Sequence, residues 1–159
     1  MSSTTRILAV SGPVRSRAPH VDRRRRSLRR LDRPTVDHQV RAGLEHDRPV
    51  REVLRDWLYS TVESADLPGC LVINTATELG TDDPETARRV DAAFNSTTAA
   101  IASLLRRGIS AGELPADLDA DATADLLFTI LTGLRVRHRA GHDPQGLRAA
   151  VDQALRVLG

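Results

Sequence analysis

From Pro49 onward the chain keeps to a single hydrophobic period. Val50, Val53, Leu54, Trp57, Leu58 and Val62 fall three and four positions apart, which places them on one face of a helix. The pattern returns in Val90, Phe94, Thr97, Ile101, Leu104 and Leu105. It returns again in Leu126, Leu127, Ile130, Leu131 and Leu134, and last in Leu147, Ala150, Val151, Ala154, Leu155 and Leu158. No segment alternates with period two for long enough to make a strand, and there is no internal repeat. The expected fold is therefore all-α. Trp57, Tyr59, Phe94 and Phe128 are the only aromatic residues. Core volume must then come from Leu, Val, Ile and Ala, which suits helices packed on helices.

Punctuation between the stripes sets the expected boundaries. Pro49, just after Asp47, fits a helix's first turn, where its missing N–H costs nothing. Leu67-Pro68-Gly69 interrupts the chain, and Cys70 to Leu79 is apolar on several sides, as an interior helix would be, with Gly80 at its end. Asp82-Asp83-Pro84-Glu85 is a strong helix start. Gly108 reads as a weak point in the last turns of that helix, and Gly112 followed by Leu114-Pro115 ends it. Asp119 or Asp121 caps the next helix, Gly141 stops it, and Asp143-Pro144 opens the last. The predicted helices cover about 49–65, 69–80, 84–111, 120–140 and 144–158.

Residues 1–48 read differently. They hold 12 Arg against 5 Asp/Glu, whereas residues 49–159 hold 11 Arg against 16 Asp/Glu. The chain thus divides into a basic, poorly structured front segment at 1–48 and a helical body at 49–159. Arg23-Arg24-Arg25-Arg26-Ser27-Leu28-Arg29-Arg30 is either a solvated arm or a contact to nucleic-acid phosphates, and composition favours the arm. Residues 10–32 offer only Val10, Val14, Val21, Leu28 and Leu31 as core material, too little for two helices that share a core.

Several function classes fall away. Cys70 is the only cysteine, so no intrachain disulfide or thiolate cluster can form; it reads as a small buried hydrophobe before a redox sensor. No apolar run reaches the ~18 residues of a membrane span. Met1 to Val10 is too weak for a secretory signal, so a cytoplasmic location is expected. His138 and His142 have the spacing of two metal ligands, but Gly141 should break the helix between them. Asp82-Asp83 is better read as a cap than as a catalytic pair, and no glycine-rich phosphate loop is present. The expectation is no enzyme, no metal and no cofactor.

Pro68-Gly69-Cys70-Leu71 through Leu79 resembles the sixth helix of the TetR/AcrR family of transcriptional regulators, which a Pro-Gly-Cys-Leu turn opens in one large branch. Asp82 to Val90 resembles the start of the seventh. Leu104-Leu105-Arg106-Arg107-Gly108 through Gly112-Glu113-Leu114 resembles that helix's end and the loop after it. Leu131-Thr132-Gly133-Leu134-Arg135-Val136 resembles the eighth. The resemblance covers 49–159 in order and implies the family's C-terminal ligand-binding and dimerisation domain. It implies an effector pocket among Trp57, Asn74, Thr77, Phe94, Thr97, Thr98, Ile101 and Phe128. The apolar members serve equally as plain core; Asn74 and the threonines say more, because a buried amide or hydroxyl needs a partner. It also implies a homodimer closed by the last two helices through Leu127, Leu131, Leu134, Leu147, Val151 and Leu155. Gly133 and Ala154 would let the helices approach closely there.

The family's helix-turn-helix unit should precede this body. Arg33-Pro34-Thr35-Val36-Asp37-His38-Gln39-Val40 resembles part of its third helix, with Asp37 where a tyrosine is usual and Val40 where a phenylalanine is. Arg41-Ala42-Gly43-Leu44 resembles the exit from that helix. Arg33, Thr35, His38 and Arg41 are the implied DNA contacts. The glycine-valine-serine start is missing, Gly12-Pro13 interrupts the first helix at Arg6-Ile7-Leu8-Ala9, and Leu44 to Pro49 leaves no room for the usual fourth helix. A deletion, a frame shift or a misplaced start is expected before a divergent arm. Two functions follow. One is a ligand-responsive repressor impaired in specific DNA binding. The other is a dimerisation and small-molecule-binding module without DNA-binding activity.

Overall fold

The computed structural model describes residues 38–45, 47–63, 76 and 83–159. Their order is α1 (His38–Glu45), α2 (Val50–Glu63), α3 (Pro84–Ser110), α4 (Ala120–Arg139), α5 (Pro144–Leu155) and a closing 3-10 turn, Arg156–Leu158. No strand occurs among the described residues. Residues 10–32 lie outside them, as does the helix expected over 69–80 apart from Ala76, which is helical.

The helices start and stop for local reasons. Asp83 caps α3, its carboxylate accepting from the Thr86 N–H at 3.2 Å and from the Thr86 hydroxyl, with Pro84 in the first turn. Asp119 caps α4, accepting from the N–H groups of Asp121 and Ala122 at 3.1 and 3.0 Å. Asp143 does the same for α5 from Gln145 and Gly146. Each cap satisfies N–H groups that a helix start leaves unpaired. At the other ends, Gly112 (φ 73°) and Gly141 (φ 78°) take the left-handed conformation that stops a helix. The chain then folds back, with Glu113 N–H donating to Gly108 O at 2.9 Å and His142 N–H to Arg137 O at 3.1 Å.

The long helix α3, about 40 Å for its 27 residues, lies along α4. α2 sits against α5, α4, α3 and α1. One core joins them: Val50, Val53, Leu54, Trp57, Leu58 and Val62 from α2; Ile101, Leu104 and Leu105 from α3; Leu127, Leu131 and Leu134 from α4; Leu147 and Val151 from α5; and Leu158.

Four expectations change. Residues 38–45, placed in the front segment, form a helix whose Val40 is fully buried in this core. The last α-helix stops at Leu155, and the 3-10 turn carries the chain to Leu158. Gly108 is a packing requirement and not a weak point, because a Cβ there would lie 2.9 Å from Leu114 Cδ1 and 3.1 Å from Val50 Cγ2. The largest change concerns the expected dimer seam. Leu127, Leu131, Leu134, Leu147 and Val151 are buried within a single chain, and Leu155 is half-buried. The body consumes these side chains because α2 passes between α4, α5 and α3, and so offers a core surface on more than one side.

Gly43 reports on how tightly α1 is seated. A Cβ at this position would run into Val53 Cγ1, on a β-branched and buried side chain with little freedom to turn away. Gly43→Ala is expected to cost about 1–3 kcal/mol by overpacking, measured by urea denaturation. Adding Val53→Ala should recover part of that loss, a coupling read from the double-mutant cycle.

Candidate functional site

Three helices carry the described part of the expected effector pocket. α3 presents Phe94, Thr97, Thr98 and Ile101 along one side, at the three- and four-residue spacing that stacks side chains on one face. α4 brings Phe128 to Phe94, with ring centroids 5.3 Å apart and planes at 66°, an edge-to-face pair. α2 contributes Trp57, which shares the core cluster with Ile101. Thr97 is buried, and its hydroxyl donates to Ala93 O at 3.1 Å, so it is already satisfied within its own helix. Thr98, Phe94 and Phe128 are half-buried. Asn74, Thr77 and Cys70 lie outside the described residues. The structure therefore brings the two phenylalanines together and encloses Trp57 and Ile101. It leaves Thr98 as the described threonine of this group that is not fully buried.

Of the implied DNA contacts, His38 and Arg41 fall in α1, while Arg33 and Thr35 lie outside the described residues. His138 ends up in the last turn of α4 and His142 in the turn beyond it, separated by the helix end as expected. Among the described residues no cluster of His, Cys, Asp and Glu could hold a metal ion. No described helix is long and apolar enough to cross a membrane.

The residues that sequence reasoning passed over sit at the C-terminal end of α3. Arg107 reaches across to the front of the body, where its guanidinium donates to Gly43 O at 2.7 Å and to Arg48 O at 2.8 Å. Glu113, in the loop after α3, accepts from the Val50 N–H at 2.6 Å and so caps α2 from a distance of 63 residues along the chain. Arg106 forms a two-pronged ion pair with Asp121, both contacts at 2.6 Å, at the start of α4. The Arg-Arg-Gly and Gly-Glu-Leu segments thus form a clamp. Arg107 and Glu113 hold the α1–α2 turn, and Gly108 lets Val50 and Leu114 close on α3. The signal is the Arg-Arg-Gly and Gly-Glu-Leu pattern itself, but no local rule says what the Arg106-Arg107 pair will grip.

Smaller ties fix α2 elsewhere. Arg51 donates to Leu158 O and, at 2.6 Å, to Gly159 O. The Tyr59 hydroxyl donates to Asp152 at 2.5 Å. That carboxylate, accepting from the phenol, raises the Tyr59 pKa above its ordinary value. Arg48 lies 2.7 Å from Asp56 and holds the Asp56 carboxyl below its ordinary range.

Arg107→Ala should leave α4 and α5 protected in hydrogen exchange while α1 amides exchange at least tenfold faster, because hydrogen bonds from a charged donor contribute about 1.5–3 kcal/mol. Arg107→Lys should restore little, since one ammonium cannot reproduce a fork that spans two carbonyls.

A family model described as "Tetracyclin repressor-like, C-terminal domain" matches residues 46–154. No curated protein and no solved structure gives a match. The matched stretch begins at the turn between α1 and α2 and takes in α2, α3, α4 and nearly all of α5, which are the helices that build the core. On that match, which spans well over half of its length, the chain belongs to the TetR family through its C-terminal domain.

Proposed function

We propose that this chain is a cytoplasmic TetR-type regulator whose helical body takes up a small-molecule effector and pairs with a second copy of itself, while its front segment binds DNA weakly and with little sequence preference. Its work is binding and not catalysis. The observation that carries the paired state is the outward face of α4. Ala122, Leu126, Thr129, Gly133 and Val136 repeat at spacings of four and three, all exposed, with no charge among them. Leu126 is 45% and Val136 52% exposed. Ile130 lies half-buried beside them. A Cβ at Gly133 would meet nothing within 4 Å, which leaves room for a second helix to approach closely.

This spacing is the one two helices use to interlock side chains along a seam. The seam residues are therefore proposed to be Leu126, Ile130 and Val136 around Gly133, in place of the leucines that the monomer keeps for its core. α5 turns Leu147 and Val151 inward and exposes Ala149, Asp152 and Gln153, so it supplies polar rim. A two-fold pairing of α4 on α4 meets each patch with its own copy.

For the front segment, Arg23 to Arg30 with Arg33 and Arg41 can neutralise phosphates, which gives affinity without sequence information. Base reading needs a helix held rigidly in the groove, and residues 10–32 lack the apolar side chains to build its scaffold. That same shortage favours the second reading, a dimerising effector-binding module with no DNA role.

The wild-type chain should sediment as a dimer at micromolar concentration, burying more than ~1,000 Å² in total. Leu126→Glu should give a folded monomer, whereas Leu147→Glu should unfold the chain, because that position is sealed inside one protomer. A monomeric wild type overturns the paired state. For DNA, unrelated duplexes should bind with similar strength at low salt and release at moderate salt. Tight binding to one palindrome that survives physiological salt would overturn the weak-binding reading.

A further inference from the structure

The side of α2 turned away from the core carries a feature that the folding of the body does not use. A groove of about 210 Å³ opens between α2 and the end of the chain's last helix, lined by Arg51, Glu52, Arg55, Leu155 and Leu158. Leu158 is fully buried and Leu155 half-buried, so they give it an apolar side. The polar side comes from α2. Arg51 and Arg55 stand one turn apart, the spacing that brings two side chains over the same patch of surface. Both keep donors to spare. Arg51 uses a single nitrogen, Nη2, for the carbonyl oxygens of both Leu158 and Gly159, a tie that holds its guanidinium against the closing turn. Arg55 makes one contact among the described residues, from Nε to Asp56 Oδ1 at 3.5 Å, which leaves its two terminal nitrogens to the groove and the solvent. Glu52, the carboxylate of the lining, lies 3.6 Å from Arg48. Two guanidinium charges against one carboxylate leave the lining with one positive charge in excess.

We propose that this groove binds a short-chain alkyl monocarboxylate, with its carboxylate on Arg51 and Arg55 and its hydrocarbon tail along Leu155 and Leu158. An arginine fork matches the two oxygens of a carboxylate, which an ammonium does not. A cation would meet two positive charges, a dianion would meet Glu52, and a neutral chain would leave the guanidinium donors unused. The volume lies below the ~300–1,000 Å³ of drug-sized sites, which limits the tail to a few carbons and leaves no length for a peptide. Such a ligand touches α2 and the closing turn together, so it fastens the contact that Arg51 already makes. Neither the α4 seam nor the core around Trp57 takes part, so the site stands apart from both.

Hexanoate, acetate and hexanamide are titrated separately into the full-length ¹⁵N-labelled protein, with amide shifts followed over 51–55 and 155–159. Hexanoate should move both groups of amides together, bind in the millimolar range and raise Tm. Acetate lacks the tail and should bind about tenfold more weakly. Hexanamide keeps the length and loses the charge, and should bind roughly five- to tenfold more weakly. Arg55 is exposed, so Arg55→Gln should fold as the wild type does and weaken hexanoate roughly three- to fivefold, a modest loss because water screens the contact. Arg55→Lys should recover part of that loss. Arg88→Gln, at an exposed position on α3, should change nothing. Four results would each overturn the site: equal binding of hexanoate and hexanamide, equal weakening by Arg88→Gln, hexanoate shifts centred on Phe94 and Phe128 with the groove amides unmoved, or no shift at tens of millimolar. The last two also separate this groove from the effector pocket, which neither result removes.

Discussion

The seating of α2 is the constraint on which the other packing depends. Its first backbone N–H groups, like those of any helix, begin without partners. Glu113 meets the one at Val50 from the far end of α3, and Pro49 O meets those of Glu52 and Val53. From that fixed start α2 runs inward with Val53, Leu54, Trp57 and Leu58 buried. The surface it offers is shared by α1, α3, α4 and α5. α1 packs on both α2 and α3, and α5 on both α2 and α4, so an error in the pitch of α2 would reach both. Gly108 belongs to the same arrangement, because a Cβ there would crowd Leu114 and Val50.

Most of the helix boundaries could be read from the sequence because their causes are local. Asp83-Pro84, Asp119 and Asp143-Pro144 act within three residues of themselves, and Gly112 and Gly141 act through their own backbone angle. What could not be read was which side of a helix faces the chain's own core. On α4 the apolar arc is wider than one neighbour needs, and periodicity does not say which part meets α2 and which meets solvent. Leu127, Leu131 and Leu134 turned inward and Leu126 outward. α1 was missed for a related reason: with Val40 and Leu44 as its only sizeable apolar residues it has no visible stripe. Its helix depends on the Val40 side chain buried in the core and on the bond from Arg107 to Gly43 O. On the candidate site, Phe94 and Phe128 were singled out by the resemblance, and neither their edge-to-face contact nor the unpaired state of the Trp57 indole is encoded by any spacing, because both are facts about three-dimensional surroundings.

α4 serves two environments at once. Its inward face completes the monomer's core, and its outward face keeps apolar and small residues in water. That division separates folding from assembly, since the side chains that hold one protomer together are different from those left exposed. A weak outward face can therefore coexist with a firm core. The Arg106–Asp121 ion pair at the start of α4 lies at the surface, so it contributes little stability.

In mechanical terms α3 is a beam laid along α4 and tied to the front of the body at its last turn. Its last turn is held by Gly108, Arg107 and the loop after it, while in its first turns Pro84, Glu85, Arg88 and Asp91 are exposed and Thr86 and Val90 are buried. Phe94 stands about 20 Å up the axis from Arg107. A helix is stiff over that length, so a displacement at Phe94 would be felt at that tie. There Arg107 ties α1 and the α1–α2 turn to the end of the beam through the carbonyl oxygens of Gly43 and Arg48.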